Sequence, residues 1–187
     1  ETGRHTITAT NAAHSQGKTN FGNTAIYFDG SGDYLDIASH ADFAILRQDF
    51  SAECWYYRGG TSPTNQWIFS GRDTNHFDLA LYGTNRIDMF YEGGYLSTGT
   101  TVDTTGGWMH LAMGRSNNVV CIWLNGKLVA SEDGGTVSIA QTGLYIGRQH
   151  TSTTTEALNG YLDGIRVCVG QSAYTPNFVP YGGQKNV

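Results

Sequence analysis

Charge is scarce in this chain. Asp, Glu, Lys and Arg make up only 14% of it, and the 11 Lys and Arg stand singly against 16 Asp and Glu, for a formal net charge of −5. Nucleic-acid binding needs a basic stripe or patch, so no nucleic-acid partner is expected. No apolar run approaches the roughly 20 residues of a membrane-spanning helix, and no membrane partner is expected either. The opening residues Glu1 to His5 do not form a charged-then-apolar leader pattern. Cysteine is limited to Cys54, Cys121 and Cys168, an odd number without CxxC spacing. Each lies in an apolar run, which suggests three reduced core thiols rather than a disulfide framework or a zinc site; one buried pair with one free thiol is the alternative. There is no Gly-x-Ser-x-Gly elbow, phosphate loop or Cys-His pairing to suggest catalysis. Helix signals are nearly absent too: Ala38 to Arg47 allows a single turn and otherwise reads as a loop.

Gly (25 copies), Thr, Ser and Asn are abundant, and aromatic residues reach 12%. This is the balance of many short strands joined by tight turns. A length of 187 residues is served by one core. Apolar residues recur with period two in about ten runs, spaced about every 10 to 14 residues. These are Ala25 to Phe28, Tyr34 to Ile37, Phe50 to Tyr57, Trp67 to Ser70, Phe77 to Tyr82, Arg86 to Tyr91, Trp108 to Gly114, Val119 to Leu124, Leu144 to Gly147 and Leu158 to Val169. In Phe77-Asp78-Leu79-Ala80-Leu81-Tyr82 the odd positions face a core and Asp78 and Tyr82 face away; Ile87, Met89 and Tyr91 repeat the pattern. Tyr82-Gly83-Thr84-Asn85-Arg86 reads as a hairpin connection, and the Asn-Gly of Leu124-Asn125-Gly126-Lys127 as a tight primed turn. Beyond Gln171, Pro176 and Pro180 cannot donate ladder bonds, so Tyr174 and Phe178 are expected to pack an extended tail across the sandwich. Residues 182–187 are expected to form a flexible end.

Four segments and a tail, in order, resemble the laminin-G-like jelly-roll modules of bacteriophage virion proteins, especially those of marine phages. They are Tyr27-Phe28-Asp29-Gly30-Ser31-Gly32-Asp33-Tyr34-Leu35, Asp49-Phe50-Ser51-Ala52-Glu53-Cys54-Trp55-Tyr56-Tyr57-Arg58, Trp108-Met109-His110-Leu111-Ala112, Asn159-Gly160-Tyr161-Leu162-Asp163-Gly164-Ile165-Arg166 and Tyr174-Thr175-x-Asn177-Phe178-x-Pro180. The resemblance implies an all-β, two-sheet antiparallel jelly-roll sandwich of the concanavalin A-like or laminin G-like kind over residues 1–181. It also implies a module lacking its first strand, because family members begin with a strand and an Asp-rich turn ahead of the stretch that here reads Thr2 to Thr8.

The resemblance further implies a structural calcium at Asp163, with Asp29 and Asp33 as additional oxygen donors. Calcium takes six to eight oxygens, Gly164 replaces a second family carboxylate, and Asp29 and Asp33 can equally form Asx turns. Asp163 and Arg166, three apart on a strand, face opposite sides, so each needs a partner from elsewhere. The six histidines show no zinc spacing, and His110 alternates with Met109 and Leu111, which points it outward or to a wet edge. Sugar rings stack on aromatic faces; Trp67, Tyr82, Tyr91, Tyr95 and Trp108 are the candidates, with Trp67 and Tyr95 following polar or Gly-rich loops, whereas Trp55, Trp108 and Trp123 are expected in the core. Glucanases of this fold place their carboxylates as Glu-x-Asp-x-x-Glu or Glu-x-Asp-x-Glu, which sets acid and nucleophile about 5 to 5.5 Å apart on one strand face. No such motif exists here, and Glu53, Glu92, Glu132 and Glu156 are isolated.

The expected function is therefore a non-enzymatic structural module of a phage virion, a capsid decoration, head-fibre or tail-fibre domain serving assembly or surface adhesion. Its partners would be other virion proteins and further copies of itself, with a trimer plausible on symmetry. It would be assembled in the host cytoplasm and then be extracellular in the particle. A carbohydrate-binding receptor module that meets a cell-surface glycan is the alternative, and an inactive or divergent glucanase the third reading.

Overall fold

The computed structural model describes all residues except 1–4, 74, 84, 93, 100–106, 136, 153–154, 173, 175–176 and 183–187. The expectations placed on Thr2 to Arg4, Thr84, Gly93, Thr175, Pro176 and the end at 183–187 thus lie outside the described residues. The strands are β1 (Ile7–Thr10), β2 (Ala13–Ser15), β3 (Ala25–Asp29), β4 (Tyr34–Ile37), β5 (Phe50–Arg58), β6 (Gln66–Gly71), β7 (Phe77–Tyr82), β8 (Arg86–Tyr91), β9 (Gly94–Ser97), β10 (Trp108–Ser116), β11 (Val119–Leu124), β12 (Lys127–Asp133), β13 (Leu144–Ile146) and β14 (Asn159–Val169). They form two seven-stranded sheets with orders β1-β4-β13-β6-β7-β8-β9 and β12-β11-β10-β5-β14-β3-β2. All pairings are antiparallel. The expected two-sheet sandwich is the fold.

Period-two alternation sends one set of side chains from each sheet into a shared core. Phe69, Leu79, Leu81, Ile87 and Met89 from the first sheet meet Phe28, Phe50, Cys54, Leu111 and Ile122 from the second, all fully buried. Phe50 and Phe77 stack across the gap, with ring centroids 4.9 Å apart. Each such Phe, Leu, Ile or Met side chain stabilises the fold by about 1.5–3 kcal/mol through removal from water. Gln66 and Arg115 are among the polar groups that enter the interior with their partners. Gln66 accepts from Tyr56 Oη and Asn159 N and donates to the carbonyls of Gly60 and Pro63. Arg115 donates to the carbonyls of Leu46, Gln48 and Val137, which pins the loops at one end of the sandwich.

Strand periodicity did not reveal β1, β2, β9 and β12. The first two are short and largely exposed, β9 begins on Gly94, and β12 is an edge strand with charged ends. The Ala38 to Arg47 segment contains one 3-10 turn, Ala41–Phe43, capped by His40. Asn125 (φ 51°) and Gly126 (φ 78°) form the expected primed hairpin turn. A side chain on Gly126 would also strike the Phe178 carbonyl, because Phe178 N donates to Gly126 O at 2.8 Å as the tail crosses the hairpin.

The tail lies on the outer face of the second sheet. Tyr174 and Phe178 stack at 3.8 Å and both rings meet Trp123. With Ala112, Cys121 and Leu128 they make a small second core outside the main one. All three cysteines are free; Cys54 and Cys121 are buried and Cys168 is half-buried.

Candidate functional site

The outer face of the first sheet gathers most of the aromatic residues singled out from sequence. Register places Trp67 opposite Ala80, Ala80 opposite Asp88 and Asp88 opposite Ser97. The next row runs Ser70, Asp78, Phe90, Tyr95, and Tyr82 faces Arg86. Paired positions lie about 5 Å apart, so the rings touch. Trp67 is parallel to Phe90 within 14° at 6.0 Å, Tyr82 lies 6.0 Å from Phe90, and Tyr95 packs on Phe90 at 5.2 Å. Tyr95 is 45% exposed and offers an open ring, whereas Trp67 is buried beneath its neighbours.

A closed polar network runs beside the rings. Asp88 is fully buried and receives Arg86 Nε on both oxygens at 2.9 Å, Ser97 Oγ at 2.7 Å and Tyr95 Oη at 3.2 Å. Arg86 also lies over the Tyr82 ring at 5.2 Å. The arrangement fixes the Tyr95 and Arg86 side chains in place. Tyr91 is not part of it. It pairs with Phe77 on the inner face, and its hydroxyl donates to Glu132 Oε1 at 2.6 Å; burial and that carboxylate push its pKa up.

Phe90, Arg86, Asp88 and Ser97 were not singled out from sequence. A signal existed in Arg86-Ile87-Asp88-Met89-Phe90-Tyr91, where an aromatic residue stands out of phase with the core positions, and its phase assigns it to the outer face.

The second sheet carries a different feature on its outer face, a 330 Å³ cavity. Phe21, Trp55 and Tyr181 supply its rings and Glu53, His110 and Arg166 its polar wall. Glu53 is buried; it accepts from His110 Nε2 at 2.8 Å and from Arg166 Nε, and Arg166 also donates to Tyr174 Oη at 3.1 Å. His110 does face the outer side, opposite Trp55, but it is buried there rather than wet, with Tyr174 and Phe178 edge-on to its ring. Asp163 and Arg166 turn out to share one face. They pair with Trp55 and Glu53, two positions apart, because a bulge between them inserts one extra residue. Gly164 takes φ +58° in that bulge, with the Phe21 ring 2.9 Å from where a Cβ would stand. Trp108, the remaining aromatic candidate, is half-buried against Tyr57 on this sheet.

Of the carboxylates considered for calcium, Asp29 and Asp33 are neighbours and Asp163 stands apart from them. Asp163 Oδ2 accepts from the amides of Asn20 and Phe21 and Oδ1 from Gly164, tying the loop after β2 to β14. Asp29 Oδ1 accepts from Ser31 N in an Asx turn, and Asp33 Oδ2 accepts from Asp29 N. Burial raises the Asp33 pKa. Asp29 pairs with Asn159, four residues from Asp163 along β14, a separation of about 13 Å. One ion cannot take both. Groups that do converge are His5, His40 and Asp42, and separately His76, Asp78 and His150. Burial, and then the neighbouring His76, lowers the His150 pKa.

A family model described as the concanavalin A-like lectin/glucanases superfamily matches residues 29–170. No curated protein matches the chain in sequence. Among solved structures, domain 4 of AbnA, an extracellular GH43 arabinanase from Geobacillus stearothermophilus in complex with arabinotriose, superposes with a TM-score of 0.66 at 19% identity, over 93% of this chain and 85% of that one. A putative carbohydrate-binding protein from Bacteroides ovatus gives 0.65 at 17% identity, over 79% and 44%. The binding domain of botulinum neurotoxin DC, in complex with SialylT, gives 0.64 at 10% identity, over 87% and 42%. The chain thus spans less than half of the latter two, and at these identities the likeness is one of fold.

Proposed function

Starting from a chain that belongs to the concanavalin A-like lectin/glucanases superfamily, we propose that it is a non-catalytic carbohydrate-binding module whose sugar lies on the outer face of the first sheet. The observation that carries this reading is the strand register that brings Tyr82, Phe90 and Tyr95 together beside Arg86, Asp88 and Ser97. A pyranose or furanose presents an apolar C–H face that stacks on an exposed ring, and Tyr95 offers one; its hydroxyls meet the Arg86 guanidinium and the Ser97 hydroxyl at the rim. The similar sandwich domains in complex with arabinotriose and with SialylT support the class of ligand.

Two features support binding without turnover. The buried carboxylates on this face, Asp78 and Asp88, are each held by fixed donors, and the sequence carries no Glu-x-Asp-x-x-Glu or Glu-x-Asp-x-Glu spacing that would set a retaining acid and nucleophile on one strand. Incubation with polysaccharides should release no reducing ends.

A glycan array with the wild-type protein, Tyr95→Ala and Trp55→Ala tests the site. Binding that Tyr95→Ala abolishes and Trp55→Ala preserves is the expected result. The opposite pattern would move the site to the cavity on the second sheet, and silence across the array would end the carbohydrate reading.

The module's carrier is a phage virion in this proposal, supported by the five ordered motifs, with the glycan-binding face presented from the particle as a trimer. Light scattering should return three copies, and mass spectrometry should find the chain among the structural proteins of purified particles. Calcium at Asp163 would show as a fall in Tm on chelation; an unchanged Tm leaves Asp163 as an acceptor for Asn20, Phe21 and Gly164.

A further inference from the structure

We propose that His76, Asp78 and His150 form a binding site for a divalent metal ion of the zinc class, with three protein ligands and one open position. One ligand atom from each lies within 4.8 Å of the other two, and His76 Nε2 is 3.3 Å from Asp78 Oδ2. Ligand atoms bound at 2.0–2.1 Å in a tetrahedral zinc site are about 3.4 Å apart. The site therefore needs only small side-chain rotations to close.

The fold brings the three together for simple reasons. Residues 76 and 78 alternate along the chain entering β7, so both side chains stand on the outer side of the first sheet. Asp78 is 3% exposed there. His150 arrives on the turn after β13, anchored by its amide, which donates to Ser70 Oγ at 3.0 Å. The two imidazole rings meet with centroids 4.2 Å apart.

Each ligand also has an outer partner that orients it, a recurrent property of metal sites. Asp78 accepts from Gly71 N at 3.2 Å and Trp67 Nε1 at 3.4 Å, and Ser70 Oγ lies 3.4 Å from His150 Nδ1. His76 Nδ1 donates to the Asp73 carbonyl. That bond turns Nε2 toward the Asp78 carboxylate, 3.3 Å away, so the two ligand atoms already point at one another.

Two imidazoles and one carboxylate suit zinc and its first-row neighbours, not calcium or magnesium, which require more oxygens. The second cluster is less suited. His40 Nδ1 already accepts from Asp42 N as the cap of the 3-10 turn, and Asp42 and His40 are each about half exposed. The site at His76 rests on its own geometry and stands independently of the sugar reading.

Untagged full chain, stripped with chelator, should bind one equivalent of zinc by calorimetry, and zinc should raise its Tm. Cobalt should give the visible absorption of a four-coordinate ion, and millimolar calcium should not compete. His76→Ala and Asp78→Asn should each weaken zinc binding at least about tenfold. His150→Gln, on the turn after β13, should do the same, while His5→Ala/His40→Ala should bind as wild type. No zinc uptake by wild type, or binding unchanged in His150→Gln, would overturn the proposal.

Discussion

The two sheets present their outer faces in opposite ways. On the second sheet, Trp123, Ala112 and Cys121 are covered by Tyr174 and Phe178 of the tail, which makes that face a small apolar core. On the first sheet, Tyr82, Phe90, Tyr95, Arg86, Asp88 and Ser97 satisfy one another, and Tyr95 stays 45% exposed. Aromatic residues are used on both faces for different ends. Where another segment of the chain covers them they contribute stability, and where none does, as at Tyr95, a ring stays open to solvent.

The largest expected consequence is at Trp123, which is almost fully buried. Trp123→Ala removes the ring on which Tyr174 and Phe178 pack and should cost about 3–5 kcal/mol, read as a fall of about 10 °C in Tm. A loss as large from Tyr95→Ala would erase the contrast between the faces.

Glu53→Gln comes next. It leaves His110 buried beside a neutral group and weakens the Arg166 link to Tyr174, for a cost of about 2 kcal/mol. Urea unfolding with an unchanged m-value would read this as a stability change alone. Asp88→Asn should cost less, because Arg86 is 38% exposed and can turn to water. Equal costs would mean that both faces are closed to the same degree.

How much of this was legible follows from the same contrast. Alternation in Phe77 to Tyr82 and the Asn-Gly turn revealed the sheets because period and turn chemistry are local properties. Tyr82 and Tyr95 could be chosen singly as sugar-stacking residues, but that they share a face with Trp67, while Tyr91 does not, depends on register across four strands. Asp163 and Arg166 were read as opposed because nothing local announces the bulge at Gly164. The burial of His110 was hidden for a further reason: the residues that cover it lie more than sixty positions away, on the tail.

A smaller effect probes the tail directly. Burial raises the Cys121 thiol to about 11, and Cys54 higher still, so neither should react readily with iodoacetamide near pH 8, whereas half-buried Cys168 should. Phe178→Ala should weaken tail docking by about 1.4 kcal/mol and so raise the alkylation rate at Cys121 about tenfold, since local opening exposes it. Peptide mapping of the labelled protein distinguishes the sites. An unchanged rate at Cys121 would mean that its strand, not the tail, protects it.

Tyr95→Ala should have the smallest effect on stability, within about 0.5 kcal/mol, because the residue is 45% exposed and Asp88 keeps Arg86 and Ser97 as donors. Its effect on binding should be complete, since it removes the open stacking surface. Tyr95→Phe separates the two contributions of the side chain. It keeps the ring and deletes only the 3.2 Å hydrogen bond to Asp88, so glycan binding should persist, weakened by no more than the looser positioning of the ring. Loss of binding in Tyr95→Phe equal to that in Tyr95→Ala would show that the hydroxyl, not the ring face, meets the sugar, and the first sheet would then act as a polar surface rather than a stacking platform.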